Sequence, residues 1–242
     1  MSDLAGKIAL ITGASKGIGQ ATALALAGAG CDIAVHYHQR LEGAEATREQ
    51  VEALGRRAAI VQADVSRSDQ VQAMVEQAGH DLGPPDILVN NAGWARPQPF
   101  DEISEEDFDA VIAVNLKSAF LCTRAVLPHM RQRGWGRIVN ISSGAAHTSG
   151  AVGIHYNAAK AGMEGLARGY AASLVQEGVT VNVVAPTFID TGPERDNAAR
   201  AKRVPMGRVG EAAEVAEAVL LCCRVGYMTG QVVCLNGGVY YR

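Results

Sequence analysis

The sequence predicts an α/β fold, a parallel sheet with helices on both faces, and three observations predict it. Short apolar runs alternate with stretches of helical composition along the whole chain, punctuated by Gly and Pro. Strands that alternate with helices need crossover connections, and crossovers join parallel strands. The 242 residues are 48% apolar and 19% charged, without internal repeats, which suits one buried core and excludes disorder or low complexity. A single domain spanning 1–242 is therefore expected.

The run 7–12 (K-I-A-L-I-T) is apolar and bounded by glycine, as a buried parallel strand is. Residues 17–29 follow as an Ala-rich helix stopped by Gly30. Strand 31–37, helix 41–54, strand 58–63, helix 68–81 and strand 87–90 continue the alternation, the last after Pro84-Pro85. Ser104, with Asp107 three residues on, caps a long helix directed towards Arg133. That helix should kink near Pro128, which cannot donate to the carbonyl of Arg124. Strand 137–142, helix 155–176, strand 180–184, helix 211–223 and strand 231–235 complete the series. The polar segment 187–203, with Gly192 and Pro193 in a run of charges, breaks the rhythm. It is expected to be a loop or loose helix that covers the site as a lid.

Net charge is −3, the pI is near 6.1, and no Lys/Arg run exceeds two residues. A nucleic-acid partner has no electrostatic support. Apolar stretches such as 218–223 fall far below the ~18 residues of a membrane span, so no membrane partner is expected. A Gly-rich turn soon after Ile8–Ile11 comes too early for a secretory core. Five cysteines without a C-x-x-C pair fit a reducing cytoplasm. No H-E-x-x-H occurs, and no catalytic metal is expected.

Thr12-Gly13-Ala14-Ser15-Lys16-Gly17-Ile18-Gly19 falls at the first strand-to-helix turn. Absent side chains at Gly13, Gly17 and Gly19 permit close approach of backbone to a ligand. The helix N-terminus then offers unpaired N–H groups and a positive dipole end to a pyrophosphate. A glycine trio alone is an ordinary turn; strand before and helix after make it a dinucleotide cradle. Asp64 ends the third strand, where its carboxylate can accept from an adenine amino group or cap the next helix, a role Ser66 fills equally well. Asn90-Asn91-Ala92-Gly93 ends the fourth, where small and amide residues border ligands in open α/β sheets.

Tyr156 and Lys160 are four apart on a predicted helix, hence on one face. A phenol of pKa ~10 is a poor proton donor at neutral pH. An ammonium ~4 Å away contributes roughly 4 kcal/mol at an effective dielectric of ~20. That is an upper limit of about three pKa units downward, before desolvation. Ser142-Ser143 ends the preceding strand, and Ser143 can donate to a carbonyl oxygen that gains negative charge. Asn115, a poor helix former inside the long helix, suggests a local distortion that holds a water.

With these residues in order, the sequence resembles the short-chain dehydrogenase/reductase family, and within it the branch of 3-oxoacyl-acyl-carrier-protein reductases. The motifs T-G-A-S-K-G-I-G, Asp64-Val65, N-N-A-G, Asn115, Ser143, and Tyr156 with Lys160 carry the resemblance from Lys7 to Gly237-Gly238. It implies a Rossmann-type doubly wound sheet of seven parallel strands. A homotetramer is also implied, with the helices near Ser104 and His155 packed between subunits. By the same resemblance Tyr156 is the proton donor or acceptor, and Lys160 lowers its pKa and holds the nicotinamide ribose. Ser143 binds the substrate oxygen and Asn115 fixes a proton-relay water. The cofactor contacts implied are Gly13, Ser15, Lys16, Gly17, Ile18 and Gly19 in the turn; Asp64, Val65, Asn91, Ala92 and Gly93 at strand ends; and Pro186, Thr187, Ile189 and Thr191.

The cofactor expected is NADP, with NAD as the alternative. Enzymes of this fold that use NAD place Asp or Glu at the end of strand two, on the ribose 2′-OH. Here Tyr37 stands in that place, no carboxylate follows until Glu42, and Lys16, His38 and Arg40 can face a 2′-phosphate. By the same resemblance Thr187 departs from the family's Gly and narrows the nicotinamide side of the cleft or alters its backbone, and the segment after Thr191 is shorter than in carrier-protein reductases. Trp94, Arg96, His147 and Phe188 are candidates for the substrate pocket, whereas His155 points off the Tyr156 face. Arg131 and Arg133 can meet an acidic carrier protein, although Glu177 nearby has the wrong sign, so that partner is open.

Three functions are compatible with these residues. The first is reduction of a 3-oxoacyl thioester or another small carbonyl substrate. The second is oxidation of a sugar, polyol or other secondary alcohol. The third is a dinucleotide-binding sensor without turnover, which needs none of the four catalytic positions filled here.

Overall fold

A computed structural model describes residues 3–150, 152–192 and 196–241. Its strands are β1 (Ile8–Ile11), β2 (Asp32–Tyr37), β3 (Ala58–Gln62), β4 (Ile87–Asn90), β5 (Gly136–Ile141) and β6 (Val179–Pro186), then the short β7 (Ile189–Asp190) and β8 (Gly210–Glu211), and finally β9 (Val232–Leu235). Seven of them form one sheet in the order β3-β2-β1-β4-β5-β6-β9, every pairing parallel. The helices are α1 (Gly17–Gly28), α2 (Leu41–Ala53), α3 (Ser68–Asp81), α4 (Glu105–Ile112), α5 (Ser118–Arg133), α6 (Ile154–Leu174), the short α7 (Asn197–Ala201) and α8 (Ala212–Arg224).

Both faces of the sheet are covered, because its strands are apolar on both sides. Ile11, Val35 and Val89 pack with Leu26, Val51 and Val219 of α1, α2 and α8. Leu10, Leu88 and Ile138 pack with Met74, Val126 and Ala167 of α3, α5 and α6 on the opposite face. Such two-sided burial is why these strands read as unbroken apolar runs instead of alternating ones. Register in the centre of the sheet is reinforced by a buried amide pair. Asn90 lies directly beside Asn140, and its Nδ2 donates to the Asn140 Oδ1 at 2.8 Å.

The expected long helix 104–133 is divided elsewhere than at Pro128. A π-helical turn, Ala113–Lys117, separates α4 from α5, and α5 continues through Pro128 to Gly134. Side chains compete with the ladder at the turn: Asn115 Nδ2 donates to the Val111 carbonyl at 3.0 Å, and Ser118 Oγ to that of Val114 at 2.5 Å. Such substitutions open a π-turn in an α-helix. The run 105–133 has the length and apolarity of a membrane span. Its Leu121, Cys122, Val126 and Met130 are nonetheless buried against the sheet, as in a core helix. Ser104 caps α4 by accepting from the Asp107 N–H at 3.1 Å, while the Asp107 carboxylate turns outward to Arg96 and Gln98. The described residues of 187–203 hold more order than a loop, since β7 pairs with β8 and Asp196 caps α7. Pro193 within it lies outside the described residues.

At the amino edge of the sheet, buried Asp86 gathers several chain ends. Its carboxylate accepts from the Ile8 N–H at 3.1 Å and from Arg133 at 3.2 Å, with Lys7 4.0 Å away. Replacing it orphans the Ile8 N–H and leaves two cations without their partner. Asp86→Ala should lower folding stability by roughly 2–4 kcal/mol, measured by urea unfolding.

Candidate active site

The sheet order reverses between β1 and β4, so connections from these strands diverge to opposite faces and leave a crevice at their carboxyl ends. A cavity of about 670 Å³ lies there. Its lining unites Gly13, Ser15, Lys16, Gly17, Ile18 and Gly19 with His38, Arg40, Asp64, Val65, Asn91, Ala92 and Gly93, residues drawn from four strand ends. Sequence reasoning omitted His36, Gln39 and Val114, which also line it.

The glycine turn fits a dinucleotide for a reason visible in its packing. A Cβ on Gly19 would stand 2.2 Å from the Gly13 carbonyl, and one on Gly13 would stand 3.1 Å from the Ala92 Cα. Gly13 also takes a φ of +66°. Backbone thus approaches backbone where a pyrophosphate would lie. The N-cap of α1, Lys16, makes no side-chain cap, so the first N–H groups of the helix lack that partner.

Asp64 caps no helix. Its Oδ1 accepts from the Ser66 N–H at 2.9 Å and from the Ser66 hydroxyl at 2.7 Å, and the N-cap of α3 is Arg67. Burial opposes its charge, but these bonds hold the carboxyl below its usual range. Tyr37, at the end of β2, turns its ring into the apolar cluster beneath α1 and α2. The rim of the cavity is left to His38, Gln39 and Arg40.

A second cavity of about 690 Å³ shares Lys16, Gly17, Ile18, Asn91 and Trp94 with the first and continues it. Ser143, Tyr156 and Lys160 line it together with Pro186, Ile189 and Thr191. Tyr156 and Lys160 share a face of α6, and Lys160 Nζ is 5.7 Å from the Tyr156 ring centre. Lys160 is buried and donates to the Ile141 carbonyl at 2.9 Å. Burial pushes its pKa down to about 8. Desolvation therefore brings the effect of Lys160 on the phenol below the upper limit of about three pKa units. Asn115 is buried behind this group. Its side chain accepts from the Trp94 N–H at 3.2 Å and donates to the Trp94 carbonyl at 2.8 Å. A Cβ on Gly93 would stand 2.9 Å from Asn115 Oδ1 and 3.5 Å from Lys160 Nζ.

The two serines after β5 separate. Ser143 faces the cavity, whereas Ser142 turns inward, its Oγ 3.1 Å from the Lys160 carbonyl and 3.2 Å from Glu164 Oε1. Glu164 is in turn 2.9 Å from His147 Nε2, both side chains being buried. His147 is accordingly not a pocket residue, and neither is Arg96, which pairs with Asp107 at 2.7 Å. Trp94 and Phe188 do line the cavity. Thr187 departs from its expected place. It lines a separate cavity of about 300 Å³, and its Oγ1 occupies the space that a Cβ on Gly144 would need, 1.9 Å away. Tyr240 of the C-terminal segment closes the same corner. Burial and the neighbouring Cys234 thiol push the Tyr240 pKa up to about 12. His155 is fully buried, beneath Gly153.

Residues 7–202 match the family model for short chain dehydrogenase. The chain belongs to the short-chain dehydrogenase family. It is 43% identical to nodulation protein G of Azospirillum brasilense over 243 residues, covering 98% of this chain and 99% of that one. It is 40% identical to the 3-oxoacyl-[acyl-carrier-protein] reductase of Pseudomonas aeruginosa over 244 residues, 98% of each. Among solved structures, a protein of Sinorhizobium meliloti assigned as a short-chain alcohol dehydrogenase superposes with a TM-score of 0.92 at 32% identity, covering 98% of this chain and 97% of that one. A protein of Agrobacterium tumefaciens assigned as a gluconate dehydrogenase gives 0.91 at 32%, with 98% and 97% covered. The short-chain dehydrogenases are oxidoreductases acting on CH–OH and C=O groups, and this chain is one of them, with the expected Rossmann-type sheet.

A direct test of the cradle is Gly19→Ala. The added methyl meets backbone on one side and the Asn91 amide on the other, 2.6 Å away. Overpacking of this kind costs about 1–3 kcal/mol. The variant should show a lower thermal midpoint and weaker binding of either nicotinamide dinucleotide by titration calorimetry.

Proposed function

We propose that the protein is an NADP-dependent carbonyl reductase or alcohol dehydrogenase whose foremost substrate class is a 3-oxoacyl thioester. The observation that carries this reading is the single crevice in which Ser143, Tyr156 and Lys160 line one end and the glycine turn the other. The bound nicotinamide supplies or accepts the hydride. The chain's own residues position the substrate and move the proton. Ser143 donates to the substrate oxygen, and Tyr156 gives that oxygen its proton during reduction. Lys160 stabilises the phenolate that results and holds the ribose. Asn115 positions the Gly93–Trp94 backbone beside Lys160 and fixes a relay water. Pro186, Ile189 and Thr191 border the nicotinamide, and 187–203 serves as lid.

NADP is favoured over NAD by Lys16, His38 and Arg40 on the cavity rim and by the lack of a carboxylate at the end of β2. An Arg fork is matched to a phosphate. A second reading, a small free alcohol or sugar-like substrate, has its own support. Arg131 is paired with Glu177 at 3.0 Å and Arg133 with Asp86 at 3.2 Å, so neither is held ready for an acidic carrier protein. Thr187 narrows the corner behind Ser143 as well. Five free cysteines support a cytoplasmic location, and the exposed Phe108 and Phe120 of α4 and α5 support the homotetramer.

A panel of 3-oxoacyl thioesters, ketones and polyols, assayed with each cofactor, separates these readings. Cofactor binding without any turnover would favour a sensor. Tyr156→Phe should lose about 10²–10⁴ in kcat with cofactor affinity kept, and retention of a tenth of the activity would reject the assignment. Lys160→Ala should damage both. Because the Lys160 pKa is lowered to about 8, its ammonium is present below that pH and lost above it. Turnover should fall as pH rises through about 8, a limb missing in Lys160→Ala.

Arg40→Ala tests the cofactor choice. We expect kcat/KM for NADP to drop roughly 10- to 100-fold and that for NAD to stay level, since a charge-assisted phosphate contact contributes roughly 1.5–3 kcal/mol. A wild type that prefers NAD would refute this placement of the 2′-phosphate.

A further inference from the structure

His36 is fully buried near the end of β2, and both of its ring nitrogens are engaged. Nδ1 accepts from the Gly13 N–H at 2.9 Å, and Nε2 lies 3.0 Å from the Ala63 carbonyl. Because Nδ1 accepts, Nε2 carries the proton and donates, so the ring is held as one neutral tautomer. Burial pushes its pKa down to about 4 against the opposing effect of the bond to the Ala63 carbonyl, with His38 adding to the fall and Asp64 resisting it. Neutral imidazole is thus the form present throughout the ordinary pH range.

Its two partners follow the strands on either side of β2, Gly13 after β1 and Ala63 after β3, and Gly13, Asp64 and Val65 line the crevice. Gly13 opens the glycine turn, and Ala63 immediately precedes Asp64 and Val65. The sheet does not need the ring for its own cohesion. The Ala63 N–H already donates to the Tyr37 carbonyl at 3.2 Å, and the Ala14 N–H to the His36 carbonyl at 2.8 Å. What the ring adds is a grip on the Gly13 peptide from the side opposite Asn91, whose Nδ2 donates to the Gly13 carbonyl at 3.0 Å. Gly13 is thereby held at its N–H by β2 and at its carbonyl by the segment that follows β4.

We propose that His36 is a positioning residue of the dinucleotide site, one that locks the glycine turn and the adenine-side wall at a fixed spacing through Gly13 and Ala63. The inference rests on the cofactor reading above. It assigns His36 to binding of the adenosine–phosphate half and leaves hydride transfer to the other end of the crevice. Removing the ring should loosen cofactor binding while leaving the chemistry of bound cofactor intact.

Titration calorimetry of NADP and of 2′,5′-adenosine diphosphate, which lacks the nicotinamide, tests this in three variants. His36→Leu leaves the Gly13 N–H buried without an acceptor, and Kd for both ligands should rise at least about tenfold. At saturating cofactor its kcat should remain within about twofold of wild type, a split that a general loss of structure does not produce. His36→Asn places an amide oxygen near the Nδ1 position and should recover most of the affinity. His36→Gln can reach Ala63 but not Gly13 in the same way, and should follow the Leu variant. If His36→Leu does not fold, the contrast between Asn and Gln decides the matter. Unchanged Kd values in the folded variants, or kcat, thermal midpoint and affinity falling together in all of them, would overturn the inference. A wild type that binds neither NADP nor NAD would overturn the cofactor reading and this inference with it.

Discussion

A fully parallel sheet delivers the carboxyl end of every strand to one edge, and the rest of this structure depends on that constraint. Because β1 and β4 are neighbours whose connections leave towards opposite faces, the edge opens between them. The glycine turn after β1, the Asn91–Gly93 segment after β4 and Ser143 after β5 all converge on the opening. None of these segments is near another in sequence. Their proximity follows from the strand order, and the apolar cores on both faces hold that order in place.

The crevice is assembled from polar groups that the core would otherwise exclude, and each has a partner that accounts for its burial. Asn115 binds the backbone of Trp94 and opens the helix at its own turn. Lys160 bonds to the Ile141 carbonyl, which anchors the head of its long side chain beside Tyr156. His36 ties the glycine turn to the third strand. One helical turn beyond Lys160, Glu164 Oε1 lies 3.2 Å from Ser142 Oγ and 2.9 Å from His147 Nε2, between α6 and the segment that follows Ser143. Unpaired, any of these groups would cost about 1–3 kcal/mol or more. Paired, they give the site a single arrangement, as preorganisation of reacting groups requires.

Thr187 packs against the segment after Ser143 and lines a cavity separate from the crevice. Its hydroxyl fills the space in front of Gly144 and lies near Tyr240, whereas Ser143, Tyr156 and Lys160 keep a common cavity. The space beside Gly144 is thereby filled by residues far apart in the chain. Trp94 and Phe188 line the cavity that holds Ser143, Tyr156 and Lys160. Phe188 adopts a φ of +54°, which is costly for a bulky side chain and is sustained by its surroundings, with Arg203 4.9 Å from its ring.

The amino-acid sequence by itself determined the alternation of strand and helix, the glycine cradle, and Tyr156 and Lys160 on one helical face. These are local properties: a two-sided apolar run, a set of missing side chains, a spacing of four. Position relative to distant segments was decided only by the tertiary structure. Of two adjacent serines, Ser143 faces the cleft because Ser142 has a buried carboxylate and a carbonyl to meet. The long helix opens at Asn115 and not at Pro128, since the Asn115 amide binds Val111 and Trp94 together. His147 left the pocket for Glu164, and His36 entered the crevice, through partners 17 and 23 residues away. A histidine's role is set by what lies opposite its two nitrogens, and that is known only once the chain has folded.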